Sequence, residues 1–182
     1  MGLKIIHEDI EFDGKFIQVL KRRFIGIHGE EGIWECVRRK TNGRIVAIAA
    51  ITYEREIILT KIFRVPINEY VIELPAGLMD KNGESEEDAV RRELLEETGY
   101  VVDGVRLLVS GPFNAGLLAD EIAIYLGVNA RFVQQPKHEN AENMEVVKVP
   151  ISKLVSFLTK LGEVKKDVKI AAIVPFLEKK IL

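Results

Sequence analysis

The sequence predicts a mixed α/β domain, in which a mixed sheet is flanked by helices. Roughly the first sixty residues are mostly extended segments rich in Ile and Val, and one well-capped helix follows near the middle of the chain. Further strands come after this helix, and two helical stretches come last. With 182 residues and a hydrophobic content of 47%, the chain can bury one good core but hardly two.

Four strands are predicted before the central helix by runs of alternating or β-branched residues. Asn42 and Gly43 are typical of a two-residue hairpin turn between the second and third of these strands. Residues 53–55 indicate a turn between the third and the fourth. The four strands span residues 16–24, 32–39, 44–52 and 56–63.

The other strands and the terminal helices follow from the same patterns. A short strand at 71–74 leads into the loop before the central helix. The last two helices are predicted over 151–161 and 167–180, and Pro175 should disturb the second because proline lacks a backbone donor. Between them and the central helix lie strands at 101–109, 120–128 and 145–149 and a polar loop at 134–143.

The central helix has clear ends. Ser85 is followed three residues later by Asp88, which is close to a capping box, and Gly99 suits a left-handed C-terminal cap. The helix should therefore run from about Glu86 to Thr98. Val90 and Leu94 mark its buried face.

Beside that buried face, Glu93, Glu96 and Glu97 share one side of the helix, within an arc of roughly 100°. Like charges four residues apart cost helix stability, unless a hard divalent ion with oxygen ligands turns the repulsion into coordination. The alternative for a helix rich in Glu is an ordinary solvated surface helix.

Composition excludes several classes of protein. The net charge of −2 gives no sign of a surface for nucleic acid or another polyanion. The apolar runs are too short to span a membrane, and the first residues do not resemble a signal peptide. Because Cys36 is the only cysteine, an internal disulfide is excluded and a cytoplasmic location is the simplest expectation.

Residues 77–100 resemble the Nudix hydrolase signature. The spacing from Glu84 onward matches throughout, and the loop before Glu84 is one residue longer than usual, within the turn-prone tract 81–83. The positions that carry the resemblance are Gly77, Glu84, Arg92, Glu93, Leu94, Glu96, Glu97, Gly99 and Tyr100.

The resemblance covers about residues 32–180 and implies a Nudix-like α/β/α sandwich with a mixed sheet. On this basis residues 32–182 form the Nudix hydrolase domain. Residues 1–31 are similar to the N-terminal strand arm that the nucleotide-sugar branch of the family uses in forming homodimers. The alternative for this arm is an edge hairpin on a monomer.

The sequence before the helix narrows the substrate. Residues 73–77, which begin with Glu73 and include Ala76, resemble the corresponding segment of ADP-ribose and nucleoside-diphosphate-sugar pyrophosphatases. Arg64, after Phe63, resembles the arginine of an aromatic-Arg pair that binds substrate in that branch, although it could simply cap a sheet edge.

Three further residues carry weaker expectations. Glu121, after the turn at 114–116, corresponds to a glutamate that contacts substrate in the family, or it solvates the start of a strand. Trp34 could stack on the base or belong to the core. Glu142 resembles a loop glutamate that moves toward the metals, and Glu139 and Glu145 compete for that role.

The family chemistry implies a role for each residue of the motif. Glu93, Glu97 and the Ala76 carbonyl would hold Mg2+, with Mn2+ as a substitute, and Glu96 would join through a second ion or a water.

Arg92 would orient the glutamates, and Glu84 would brace the loop through its backbone amides. Glu142, or failing that Glu96, would take the proton of the attacking water. Gly77, Glu84 and Gly99 would have structural roles.

The resemblance therefore implies Mg2+-dependent hydrolysis of a nucleoside diphosphate sugar. ADP-ribose, giving AMP and ribose 5-phosphate, is the first expectation, followed by GDP-mannose and other nucleotide sugars. An alternative of another class is a non-hydrolysing Nudix module that senses such ligands. The expected partners are the small-molecule substrate and a second copy of the chain, with neither nucleic acid nor a membrane.

Overall fold

The structure is a computed structural model, and it describes residues 2–40, 44–137, 144–160, 162 and 164–178. The chain divides into two compact units. The first comprises Met1–Arg44 with Gly111–Ile122, and the second comprises Ile45–Ser110 with Ala123–Leu182. No helix in these described ranges is long and apolar enough to cross a membrane.

The first unit contains a three-stranded antiparallel sheet. Its strands are β1 (Lys4–Asp13), β2 (Ile17–Ile25) and β3 (Glu31–Arg39), in the order β1-β2-β3. Leu20 of β2 lies opposite Cys36 of β3, and both side chains are buried. β3 therefore shares a sheet with the two strands of the predicted N-terminal arm.

The second unit is built on a mixed sheet, which contains several antiparallel strand pairs and a parallel pair formed by its last strand. In chain order the remaining elements are β4 (Ile45–Thr52), β5 (Glu56–Arg64), β6 (Glu69–Glu73), β7 (Ala76–Leu78), α1 (Glu86–Thr98), β8 (Tyr100–Val101), β9 (Gly104–Pro112), β10 (Glu121–Phe132), β11 (Met144–Pro150), α2 (Leu154–Thr159), β12 (Lys165–Lys166) and α3 (Lys169–Glu178). The sheet order is β12-β6-β5-β4-β10-β8, while β11 pairs with β5, β7 with β4 and β9 with β10.

The core of the second unit lies between α1 and the sheet. Ala89, Val90 and Leu94 of α1 pack on a cluster that includes Val46 and Ile48 of β4, and all five side chains are buried. Burial of each large aliphatic side chain contributes about 1.5–3 kcal/mol. This packing fixes the rotation of α1, and with it the direction in which its glutamates point.

Several predictions about the elements are confirmed. α1 runs over Glu86–Thr98, the Ser85 hydroxyl accepts a bond from the Asp88 amide, and Gly99 has a φ of 75°. The Arg55 amide donates to the Thr52 carbonyl, and β4 and β5 pair antiparallel across this turn.

Other predictions are wrong in detail. The expected strand at 101–109 is interrupted, because β8 ends at Val101 and β9 begins at Gly104. Asn42 and Gly43 lie outside the described residues, but β3 and β4 belong to different sheets, so they do not form the expected paired hairpin. The expected helix at 151–161 begins as a 3-10 turn, Ile151–Lys153, and its α-helical part ends at Thr159.

Pro175 does not interrupt the last helix, since α3 continues from Lys169 to Glu178. Both Pro175 and Ala171, whose carbonyl loses its helical donor, are exposed. Water can therefore satisfy this carbonyl. The helix is held by Ile170, Ile173 and Leu177, which are buried on its other side.

Candidate active site

The acidic residues of α1 lie at the border between its buried face and solvent. The side chain of Glu93 is only 15% exposed, whereas that of Glu96 is 44% exposed. Leu94, between them in sequence, is completely buried. The carboxylates therefore line the edge of a packed interface, where the lower local dielectric strengthens their interactions with a cation.

Arg92 joins Glu93 and Glu96 of α1 to Glu84 of the preceding loop. Its Nε and Nη2 donate to the two oxygens of Glu84 at 2.8 and 3.0 Å, and its Nη1 donates to Glu93 at 2.6 Å and to Glu96 at 3.1 Å. Nη2 also donates to the Leu78 carbonyl at 3.2 Å. Such bidentate, charge-assisted bonds fix geometry as well as contributing energy.

Arg92 and its carboxylate partners shift each other's pKa values. They raise the pKa of Arg92, Glu84 most strongly, and Arg92 in turn holds the pKa of Glu84 below its usual value. The prediction that Glu84 braces the loop through backbone amides is wrong. Its carboxylate binds the guanidinium of Arg92, which is the stronger partner because it is charged.

Glu93 is held against the loop that precedes α1. Burial raises the pKa of Glu93 in spite of the opposing effect of Arg92. A Cβ atom at position 77 would overlap the Glu93 carboxyl group. Gly77 is therefore required for the carboxylate to lie directly against the backbone, a close approach that only glycine permits.

The register of β7 explains how Ala76 faces α1. The Ile48 amide donates to the Pro75 carbonyl, so the next pair, Ala47 and Ala76, is a non-hydrogen-bonded pair. The N–H and C=O groups of Ala76 consequently point away from β4. Its N–H donates to Glu97 Oε2 at 3.2 Å, which places the Ala76 carbonyl on the same side as the Glu97 carboxylate.

These residues fit a hard divalent cation by the chemistry of their donors. Glu93, Glu96, Glu97 and the Ala76 carbonyl offer only oxygen atoms, which Mg2+ and Mn2+ prefer. Three carboxylates, those of Glu84, Glu93 and Glu96, contact the guanidinium of Arg92, so negative charge is in excess at this group. Within the described part of the chain, no three His, Cys, Asp or Glu side chains are already arranged as a metal site.

Arg64 and Glu73, both expected to bind substrate, are paired with each other. Arg64 Nε and Nη2 donate to the two Glu73 oxygens at 2.8 and 2.6 Å. Glu73 is buried, whereas the side chain of Arg64 is 46% exposed, and their contact raises the pKa of Arg64. Glu73 therefore anchors Arg64, and the guanidinium presents its remaining edge to solvent.

Trp34 and Glu121 lie in the first unit. The Trp34 indole Nε1 donates to the Gly116 carbonyl at 2.9 Å, and the residue is 53% exposed, so it is not a core residue. Glu121 accepts a hydrogen bond from Arg44 at 2.9 Å. Their roles in binding stay predictions.

Two of the three candidates for the loop glutamate, Glu142 and Glu139, lie outside the described residues. The third, Glu145, forms an ion pair with Lys61 at 3.1 Å in the pairing of β11 with β5. Its carboxylate therefore already has a cationic partner.

Asp80 was missed by the reasoning from sequence. Its Oδ1 lies 3.8 Å from Arg92 Nη2, and its charge adds to the causes that raise the pKa of Glu93. The available signal was its position, because Asp80 is the only acidic residue between Gly77 and Glu84.

Comparison with known proteins agrees with this geometry. The NUDIX domain model matches residues 41–169. The chain is 30% identical over 171 residues to an ADP-sugar pyrophosphatase of Mus musculus, covering 87% of this chain and 78% of that protein. It is 28% identical over 149 residues to an ADP-ribose pyrophosphatase of Bacillus subtilis, covering 81% and 78%.

A solved structure supports the fold. The crystal structure of an ADP compounds hydrolase aligns with a TM-score of 0.80 at 19% identity, covering 97% of this chain and 92% of that one. The mixed α/β fold predicted from the sequence is thereby confirmed.

Proposed function

This chain belongs to the NUDIX domain family of hydrolases, and on that premise we propose that it hydrolyses the pyrophosphate bond of a nucleoside diphosphate sugar. ADP-ribose is the leading substrate, with AMP and ribose 5-phosphate as products. The proposal is carried by one observation: Glu97 accepts a bond from the Ala76 amide and Glu93 lies against Gly77, so both carboxylates of α1 meet the backbone of β7, and Arg92 holds Glu93.

Hydrolases of this family generally use divalent metal ions. Glu93, Glu97 and the Ala76 carbonyl are the groups that would hold Mg2+ or Mn2+, with Glu96 close by. When bound, such an ion would neutralise the oxygens of the pyrophosphate and acidify the attacking water. Burial raises the pKa of Glu93 and so disfavours its ionised form. A cation at this carboxylate would have the opposite effect and favour the ionised form.

The other residues of the cluster have two tasks, which are to hold the carboxylates in place and to accept a proton. Arg92 holds Glu93 and Glu96 in place, since its Nη1 contacts both. A carboxylate accepts the proton of the attacking water, and Glu142 is the first candidate and Glu96 the second. Glu96 is half exposed, so water reaches it directly.

Arg64 is the candidate for binding a phosphate of the substrate. Its bonds to Glu73 use Nε and Nη2, and within the described ranges Nη1 has no hydrogen-bond partner. A guanidinium anchored on one edge by a carboxylate can bind a phosphate oxygen with the other. Glu73 then acts on the substrate through Arg64.

Other nucleotide sugars, GDP-mannose first, are the alternative substrates. A non-hydrolysing sensor is the alternative of another class. The acidic set favours hydrolysis, because a module that only binds an anionic ligand gains nothing from carboxylates that repel it.

We also propose that the chain forms a homodimer through its N-terminal strands. Ile5, Ile10 and Phe12 of β1 are exposed, and Trp34 of β3 adds to the exposed apolar surface of the same unit. Exposed apolar patches of this kind are typical of interfaces between proteins. The buried, free Cys36 is consistent with the cytoplasmic location expected from the sequence.

A panel assay tests the function. The protein is incubated with ADP-ribose, GDP-mannose, coenzyme A, diadenosine polyphosphates and nucleoside triphosphates, each with Mg2+ and with chelator, and the products are identified. Metal-dependent cleavage of ADP-ribose at the pyrophosphate is the expected result. Cleavage of a different substrate class would replace the proposed substrate, and binding without turnover throughout would favour the sensor.

A further inference from the structure

A cavity of about 640 Å³ lies in the second unit, between the turn after β4, the start of β9 and the adjoining part of β10. Its apolar lining includes Ile51, Leu126 and Val128, and its exposed rim carries Tyr53, Arg55 and Arg106. We call these six residues the arginine pocket. None of them belongs to the acidic cluster of α1 or to the Arg64–Glu73 pair, and the volume lies within the range typical of small-molecule sites.

The two arginines of the pocket differ from all the others. Every other arginine has a carboxylate or a backbone carbonyl as a partner, as in the contacts of Arg91 with two carbonyls and of Arg131 with Asp103. In the part of the chain that the structure describes, the guanidinium groups of Arg55 and Arg106 have neither. Both guanidinium groups without a partner thus line the same cavity.

The acidic side chains nearby are already engaged. Asp103 accepts hydrogen bonds from Tyr53, Asn129 and Arg131. Glu56 pairs with Lys148 at 2.8 Å, and Glu54 adds to the effects that raise the pKa of Lys148. The residues that line the pocket include two arginines and no carboxylate, so the charge that it presents is positive.

The backbone of Arg55 is in a conformation that does not suit arginine. Its φ is 61°, in the left-handed region, where glycine and asparagine are preferred over long side chains. The turn is held by the Arg55 amide, which donates to Thr52, and by the Ile151 amide, which donates to the Arg55 carbonyl. Neither bond requires the guanidinium, so the fold of the turn does not explain an arginine at this position.

We propose that the arginine pocket binds a small organic anion, whose phosphate or carboxylate is held by Arg55 and Arg106 while its apolar part packs against Tyr53 and Val128. Paired guanidiniums bind both kinds of oxyanion through the same forked donors. Tyr53 is 64% exposed and Val128 is partly exposed, so a ring or alkyl group packed against them removes apolar surface from water. An anion without an apolar part would use only half of the site.

Isothermal titration calorimetry with the full chain in chelator tests this proposal separately from hydrolysis. The probes are phenyl phosphate, benzoate and inorganic phosphate, with phenol as the uncharged control. We expect one phenyl phosphate or benzoate per chain, and the tighter of the two identifies the preferred head group. Inorganic phosphate should bind at least about tenfold more weakly, because it leaves the apolar surface of Tyr53 and Val128 uncovered.

Two variants locate the site. Arg55→Asn suits the left-handed turn, so it should melt no lower than the wild type, yet bind the aryl anion about tenfold or more weakly. Arg106→Gln, on the exposed side of β9, should weaken binding by a similar factor. Arg23→Gln, which removes an exposed arginine of the first unit, is the matched control and should bind as the wild type does.

The result that would overturn the proposal is equally clear. It is wrong if neither aryl anion binds up to millimolar concentration, if phenol or inorganic phosphate binds as tightly as they do, or if both Arg55→Asn and Arg106→Gln bind with wild-type affinity.

Discussion

Arg92 shows how one side chain can organise a set of mutually repelling carboxylates. Its three nitrogens contact Glu84, Glu93 and Glu96, and it is only 16% exposed. Without it, the carboxylates of Glu93 and Glu96 on α1 and of Glu84 in the preceding loop would have no fixed arrangement. Arginine suits this position because its planar fork can serve several acceptors at once, which a lysine ammonium cannot do in the same geometry.

Arg92→Lys should therefore lower kcat/KM by about 10- to 100-fold, the usual cost of disturbing groups that orient metal ligands. The charge is kept, so the loss would come from orientation. Steady-state kinetics measure the effect, and Arg91→Lys is the control, since Arg91 donates to backbone carbonyls outside the acidic cluster. Equal activity of Arg92→Lys and wild type would contradict the role given to Arg92.

Asp103 gives a prediction about pH. Its contact with Arg131, together with Asn129, holds the pKa of Asp103 below the ordinary value of 3.8. For a depressed carboxyl pKa, the stabilisation is present above the unfolded value and is lost as the pH falls through the folded value. Asp103→Asn should lower the melting temperature at pH 7, and the difference from wild type should disappear below the folded-state pKa. A difference that stays constant from neutral to strongly acidic pH would contradict this account.

The residues of the candidate site could be predicted from sequence to the extent that they share one helix. Glu93, Glu96 and Glu97 are neighbours because of helical periodicity alone. The bond between Arg64 and Glu73 depends on how β5 pairs with β6, and the contact of Glu84 with Arg92 depends on the path of the loop. These two contacts are set by tertiary structure, which local pattern does not encode.

At the scale of elements, α1 is the part of the fold that depends most on its own sequence. Its cap, its buried stripe and its C-terminal glycine are all local, and its bounds were predicted correctly. β7 has only three residues and exists because it pairs with β4, so no periodicity could reveal it. β12 is a two-residue strand for the same reason.

Ser85→Ala tests the importance of the N-cap. The Ser85 hydroxyl accepts the Asp88 amide at 3.1 Å, and removing such a cap typically costs about 1 kcal/mol of unfolding free energy. Urea denaturation measures it. Ser156→Ala is the control, because the Ser156 hydroxyl donates to the Lys153 carbonyl and caps no helix N-terminus. Equal stability losses in the two variants would show that capping is not the cause.

At the scale of the whole molecule, the N-terminal strands raise the question of assembly. Light scattering after gel filtration should give twice the chain mass of 20.6 kDa at micromolar concentration. Ile10→Lys places a charge on exposed apolar surface of β1 and should yield a folded monomer. Val168→Lys, at a residue 83% exposed in the second unit, should remain dimeric. A monomeric wild type would remove the proposed role of the arm.

The most direct test of the central claim is the hydrolysis of ADP-ribose by wild type and Glu97→Gln, with Mg2+ and with chelator. Glutamine can still accept the Ala76 amide bond, so the fold should survive while the anionic ligand is lost. We expect AMP and ribose 5-phosphate from the wild type with Mg2+ only, and a rate more than about 100-fold lower for Glu97→Gln. Glu87→Gln, in the exposed first turn of the same helix, should keep wild-type activity. Undiminished turnover in chelator, or a wild-type rate for Glu97→Gln, would contradict the account.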